Sequence, residues 1–354
     1  MRRLIILGGG YGGISAAKEL LDKDLPSDVQ LMLIDRMPFQ GLKTEYYALA
    51  SGTIADVNIR VPFPSDERLT IKYGEITDID LANQTVQLDH RDIIDYDTLI
   101  IALGCTDKYH GIPGAQLYTH SIQTLQATRE TYQQINNIVP YGQVTIVGGG
   151  LSGVELAAEL RESRADLNIR ILDRGASILS TFPDKLVKYV REWFDEHEVE
   201  MVPYCSLSRV EPGILYNKGE EIWTDAAVWT AGIQPVEQVQ KLDVPKDPQG
   251  RVLLNELHQI PHHRNVYVVG DCASSPFSPS GQLAEAQGKQ VAEVIHASWK
   301  GETPKLSRIK LKGVLGSLGK NEGFGVMGKR TVMTGRVPRV LKSGVLWMSK
   351  RHFG

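Results

Sequence analysis

A chain of 354 residues, 42% hydrophobic and 23% charged, is long enough for two or three domains and ordinary for a globular protein. No apolar run reaches the ~18 residues of a membrane-spanning helix, no signal-peptide core precedes the first strand, and Cys105, Cys205 and Cys272 are too scattered for a disulfide framework or a zinc site. The histidines show no ligand spacing either, so the expectation is a cytoplasmic protein without a metal. The net charge of −3 hides an asymmetry, +11 from residue 300 onward and −14 before it, which suggests an anionic partner surface, lipid or nucleic acid.

The chain opens on a strand at 4–7 that runs into Gly8, Gly10 and Gly13 and then a helix. In such a loop the first glycine permits the tight turn, the second lets the backbone approach a pyrophosphate, and the third lets the helix pack closely on the strand. The next strand, VQLMLI, ends at Asp35, where a carboxylate would read a ribose hydroxyl. Residues 37–54, MPFQGLKTEYYALASGTI, read as a mixed polar and aromatic loop over the ligand. Short strands are expected near 70–73, 84–88 and 98–102. The last, TLIIALGC, stops at Gly104, and GIPG at 111–114 marks a crossing between domains. A helix is expected over 124–138.

The stretch 144–160, VTIVGGGLSGVELAAEL, repeats the opening, with Gly148, Gly150 and Gly153 in the loop and Asp173 at the end of the following strand, NIRIL. One GxGxxG is weak; two, each with its helix and terminal acid, imply two bound dinucleotides. Glu155 has two readings. Ser152-x-x-Glu155 fits a capping box, and a residue this close to the phosphate loop also points towards the dinucleotide. A helix at 186–197 follows, then a strand ending in AAVWTAGIQP at Gly232, then VYVVGDCAS at 266–274 and a helix over 281–299. Gly104 and Gly232, where buried-looking strands stop, are counted as cofactor-binding positions. On a helix over 338–352, Val340, Leu341, Val345, Trp347 and Met348 form an apolar arc. Arg339, Lys342, Ser343, Ser349 and Lys350 lie opposite, and Leu346 and Arg351 break the pattern. This helix either lies on an anionic membrane surface or packs its apolar arc on the protein's own core. Nucleic acid is disfavoured, because it would leave the arc without a partner.

Together the two glycine boxes, the ALG and TAG triplets and VYVVGDCA resemble the two-dinucleotide-binding-domain flavoproteins. The resemblance implies an α/β protein with two Rossmann-like domains, the NADH domain inserted into the FAD domain. It places the FAD domain at 1–112 and 249–307, the NADH domain at 113–248, and a C-terminal region at 308–354. It implies FAD on Gly8, Gly10, Gly13 and Asp35, with Gly270 and Asp271 at the ribityl chain, and NADH on Gly148, Gly150, Gly153 and Asp173. Within that group the chain is similar to type II NADH dehydrogenases, the single-subunit NADH:quinone oxidoreductases. GLSGVE puts Glu155 at their nicotinamide and flavin glutamate, GQLAEAQG at 281–288 resembles their quinone pattern with Gln282 at its head, and LKGVLGSLG precedes a basic, apolar tail like their membrane region. The second glutamine of the pattern falls on Ala286, Gln287 comes one position late, and a second amphipathic helix is missing, as in a divergent branch. The resemblance thus implies hydride transfer from NADH to FAD and electron delivery to a quinone, with the protein peripheral on the inner face of the cell membrane. Another flavin-dependent NAD(P)H or sulfide oxidoreductase, or a non-enzymatic redox sensor, are the alternatives. Cys105 and Cys272 read as inert packing, and the question of a homodimer stays open.

Overall fold

The computed structural model describes residues 1–89, 91–328 and 331–353; the side chains of Ser349 and of 351–353 lie outside the described set, and with them the expectations for Ser349 and Arg351. Each glycine box sits at the end of the middle strand of a largely parallel sheet. In the first sheet Arg2–Leu7 lies between Val29–Asp35 and Thr98–Ile101, flanked by Leu69–Tyr73 on one side and by His263–Val268 and Gln259–Ile260 on the other. In the second, Gln143–Val147 lies between Asn168–Leu172 and Ala226–Trp229, with Val199–Val202 and His120–Ser121 outermost. Leu4 to Leu7 are all buried, the continuous apolar run of a strand covered on both faces. In both sheets the order reverses beside the middle strand, which opens a crevice at the carboxyl ends of the strands where ligands of such sheets bind.

The first sheet is closed by a distant part of the chain. Its helix Tyr11–Leu21 packs on Gly281–Lys300 so tightly that a Cβ on Gly288 would collide with the carbonyl oxygen of Gly12. The chain then forms an antiparallel sheet of Gly313–Leu318, Glu322–Met327 and Thr331–Gly335 that leads into the helix Arg336–Phe353. Leu318 and Phe324 from this sheet share a core with Leu156, Leu160, Leu186 and Phe194, so the C-terminal region is seated on the second glycine-loop helix, Leu151–Ser163. Among the described residues no helix is long and apolar enough to cross a membrane.

Two local expectations change. Residues 37–54 are not a loop: they form the strand Phe39–Gly41, a turn of 3-10 helix Lys43–Glu45 and the helix Tyr46–Ala50. The cause is burial in two directions, since Leu42, Tyr46 and Leu49 enter one core while Tyr47, Ala48 and Ala50 enter the other. The capping box also fails. Gly150, extended at φ −75° and ψ −177°, is the cap of its helix, which puts Ser152 inside the first turn and Glu155 beyond it.

Candidate functional site

The two glycine loops are near copies in their hydrogen bonds. Gly8 (φ +98°) and Gly148 (φ +113°) adopt turns that favour glycine, and each is approached closely by a crossing segment, Ala102 of the ALG triplet and Ala231 of the TAG triplet. Gly9 N–H donates to Asp35 Oδ2 at 2.6 Å and Gly149 N–H to Asp173 Oδ2 at 2.7 Å. The other oxygens accept from Met37 N–H and Gly175 N–H. Each acid is therefore locked beside its loop, and burial holds the Asp35 carboxyl above the ordinary aspartate value. A Cβ on Gly13 or Gly153 would strike the carbonyl oxygen of Gly8 or Gly148, whereas a Cβ on Gly10 or Gly150 would meet nothing within 4 Å. That open side, at the amino end of each helix, is the space a pyrophosphate would take.

At the crossing, Gly270 and Asp271 stand in a tight turn beside Gly104. Gly270 N–H donates to Gln287 Oε1 at 2.8 Å, and the Cys272 thiol donates to the Gly104 carbonyl at 3.0 Å. The Cys105 thiol donates to Asp271 Oδ2 and accepts from Lys43 Nζ, both at 3.0 Å, with Lys43 Nζ 4.0 Å from Asp271. Burial pushes the Cys105 thiol up to about 12, so it is no thiolate nucleophile. Burial opposes the charge on Lys43, but Cys105 and Asp271 outweigh it and keep the ammonium protonated. Two orphaned polar groups lie nearby in the chain. Gln40 is buried with both side-chain amide atoms unpaired, and buried Asp107, raised to about 6 by desolvation, has one unpaired oxygen. Unpaired buried groups suit a polar ligand such as a flavin dinucleotide.

Glu155 lies among residues from four separate parts of the chain. Its Oε1 accepts from Ser317 N–H at 3.0 Å and Ser317 Oγ at 3.3 Å, and it pairs with Lys342 Nζ. Lys342 Nζ also donates to Tyr47 Oη at 2.7 Å and stands 4.4 Å from the centre of the Tyr47 ring. Glu155 is buried and Lys342 partly so; desolvation opposes the Lys342 charge, and Glu155, Tyr47 and Glu45 more than restore it. Glu45 completes the group. Burial pushes its carboxyl up to about 7, with Glu155 and Glu159 adding to the shift and Lys342 and Arg339 opposing it.

Lys342 arrives on the C-terminal helix, which is docked by its polar arc. Arg339 Nε donates to the Gly319 carbonyl at 3.1 Å, Pro338 is buried, and Leu346, which broke the amphipathic pattern, packs inward. Val337, Val340, Leu341, Val345, Trp347 and Met348 are instead 42–69% exposed. The alternative of an apolar arc packed on the core is thus overturned: Glu155 draws Lys342 inward, Arg339 bonds the Gly319 carbonyl, and the apolar arc is left outside. Gln282 takes no part in the Glu155 group. Its Nε2 donates to the Gly313 carbonyl and its Oε1 accepts from Lys312 N–H, tying the helix Gly281–Lys300 to the strand that carries Ser317.

The sequence profile of the pyridine nucleotide-disulphide oxidoreductases matches residues 2–301. The chain belongs to the pyridine nucleotide-disulphide oxidoreductase family. Membership gives it two dinucleotides, FAD and a nicotinamide nucleotide, and makes it an oxidoreductase of the NADH dehydrogenase kind. It is 54% identical over the full length of both chains to the NADH dehydrogenase-like protein YutJ of Bacillus subtilis. It is 23% identical to a type II NADH:quinone oxidoreductase of Staphylococcus epidermidis, over 94% of this chain and 91% of that one. In fold it matches NDH2 of Plasmodium falciparum in complex with NADH, with a TM-score of 0.85, 17% identity and coverage of 99% and 96%.

For this member of the pyridine nucleotide-disulphide oxidoreductases, sequence reasoning missed Lys43, Glu45, Tyr47, Ser317 and Lys342. Ser317 lay inside a quoted motif and Lys342 on a quoted arc. One signal was available: 336–353 contains no acidic residue, so a lysine turned inward there needs a carboxylate from elsewhere.

Proposed function

We propose that this protein is an FAD-dependent NADH:quinone oxidoreductase that works at an anionic membrane surface on the cytoplasmic side. When bound, the flavin takes a hydride from the nicotinamide and passes electrons to the acceptor. The protein's own part is to hold, orient and exclude water. Gly8, Gly10, Gly13 and Gly104, with Asp35, Gly270 and Asp271, would hold FAD; Gly148, Gly150, Gly153 and Gly232, with Asp173, would hold NADH. Glu155, fixed by Ser317 and Lys342, sets the polarity between the second loop and the C-terminal helix. Gln282 serves the acceptor end by fixing Lys312 and Gly313, the start of the strand that carries Ser317.

One observation carries the quinone reading: the C-terminal helix lays Lys342 on Glu155 with one face and turns six apolar residues to solvent with the other. A lipophilic acceptor coming from a bilayer would meet that helix first, with the buried polar group directly beneath it. The test is steady-state NADH oxidation with menadione, ubiquinone analogues, oxygen, ferricyanide and disulfides, paired with sedimentation on anionic liposomes. Quinones should be the fastest two-electron acceptors, and binding should be lost at high salt and in Trp347→Ser. Faster turnover of disulfides than of quinones, or no sedimentation at low salt, would remove the reading.

A further inference from the structure

At the turn that carries Gly270 and Asp271, three side chains form a line of hydrogen bonds that runs one way. Lys43 Nζ donates to Cys105 Sγ, and the Cys105 thiol donates to Asp271 Oδ2, both at 3.0 Å. A thiol has one hydrogen, and Gln123 Oε1, the other acceptor in reach, lies at 3.7 Å, so the nearer carboxylate takes it. Lys43 Nζ stands 4.0 Å from the same Oδ2. The described residues give Asp271 Oδ1 no hydrogen-bond partner. The space on both sides of this contact is open. A Cβ on Gly104, just before Cys105, would meet nothing within 4 Å, and one on Gly270, just before Asp271, would meet only the Ala284 Cβ at 3.4 Å. Asp107 follows two residues after Cys105 on the strand Cys105–Asp107, hence on the same face, and its buried Oδ1 is unpaired. Asp271 and Lys43 stay half-buried while Cys105 is buried.

From these contacts we infer that Cys105 is a positioning residue for FAD: held by Lys43, its thiol anchors Oδ2 of Asp271 and so leaves Oδ1 to accept from a hydroxyl of the flavin's polyol chain. The inference rests on the placing of FAD at Gly270 and Asp271 above. A carboxylate turns freely about its last bond, and anchoring one oxygen removes that freedom before the ligand arrives. A bond to an ionised acceptor is roughly twice as strong as one between neutral groups, so a single thiol suffices as the anchor. By donating to the sulfur, Lys43 occupies a lone pair and leaves the S–H directed at Asp271. The thiol serves only while it keeps its proton, and burial ensures that it does. Cys105 therefore acts as a neutral donor, a part that its sequence position, just past a glycine, did not suggest.

The experiment is the dissociation constant of FAD for the full-length chain, measured by isothermal titration after the bound flavin has been removed. Asp271→Ala should weaken binding at least roughly tenfold. Cys105→Ala should weaken it roughly tenfold as well, while Cys105→Ser, which keeps an O–H donor, should stay within about threefold of wild type. Combined with Asp271→Ala, the Cys105→Ala change should add less than about twofold, because its effect passes through that carboxylate. A packing role predicts the reverse, with serine no better than alanine and the same loss whether or not Asp271 is present. Should Cys105→Ala fail to fold, Lys43→Met decides in its place: it should weaken FAD binding by about threefold with Asp271 intact and have no effect without it. Unchanged affinity in the deciding variant, no rescue by Cys105→Ser, or an equal loss in both backgrounds would overturn the inference while leaving FAD at Asp271. An Asp271→Ala variant that binds FAD as tightly as wild type brings down that placing, and this assignment with it.

Discussion

Ser15 and Glu155 occupy the same place, five residues after the glycine that caps each loop helix, yet they hold different covers. The Ser15 hydroxyl donates to the Glu285 carbonyl at 2.9 Å, a neutral bond to a helix already pressed against its own through Gly12 and Gly288. Glu155 instead pairs with Lys342, so the second helix is covered through a buried charge on the last element of the chain. The loops are alike in backbone, each holding its strand-end acid by one glycine N–H and its helix by one close glycine contact. What differs is how each loop helix is covered: the first by interdigitated small residues, the second by an ion pair that depends on both partners remaining in place.

The largest effect should come from breaking the loops themselves. Gly10→Val would fill the open space at the first loop and yield a colourless protein that does not take up FAD, whereas Gly150→Val should stay yellow and weaken NADH binding by at least roughly tenfold in a flavin-fluorescence titration. If both variants lost the flavin, the two sites would not be separable in the way their covers suggest.

Next comes the ion pair. Glu155→Gln leaves a buried ammonium without its counterion and should cost about 3 kcal/mol in denaturant unfolding, while Ser15→Ala, which loses one neutral hydrogen bond, should cost about 1 kcal/mol. The double variant Glu155→Gln with Lys342→Met should recover most of the loss. Equal costs at the two positions would mean that the second cover is no more dependent on charge than the first.

Stability should also fall with pH on account of the second cover. Glu45 is held near about 7 in the folded protein against an ordinary 4.5, so the folded state binds the extra proton between those values. Its stabilisation is complete below pH 4.5 and is lost as pH rises through about 7, a slope that thermal melts of Glu45→Gln should lack.

The smallest effect concerns the strand-end acids. Asp173 should favour NADH by accepting from a ribose hydroxyl and repelling a 2′-phosphate, against the pull of the adjacent Arg174, so Asp173→Ser should narrow the preference for NADH over NADPH by a few-fold, read as the ratio of kcat/KM values.

The two glycine turns were legible in the sequence because they depend on backbone: Gly8 and Gly148 need unusual φ, and Gly13 and Gly153 need contact too close for a side chain. Whatever depends on contacts between distant segments was not. Tyr46 to Ala50 read as loop because adjacent residues point into different cores, which erases the periodicity of a helix packed on one side. Lys342 read as a solvent cation because its partner lies 187 residues earlier, and the helix orientation inverted with it. Gln282 fell in a recognisable pattern, but the pattern carries no information about the Lys312 and Gly313 backbone it clamps.

That separation also sets an order of events during synthesis. Glu155 leaves the ribosome long before Lys342, and the first sheet waits for His263–Val268 while its glycine-loop helix waits for Gly281–Lys300. Neither half is finished when its own loop has been made, and such late, long-range closure is slow and leaves apolar surface open in the meantime. The nascent chain therefore carries an uncompensated carboxylate at its second loop until translation is nearly complete. A message cut short before Lys342 would yield a protein marked by that unpaired charge, with a local instability that proteases and chaperones can read.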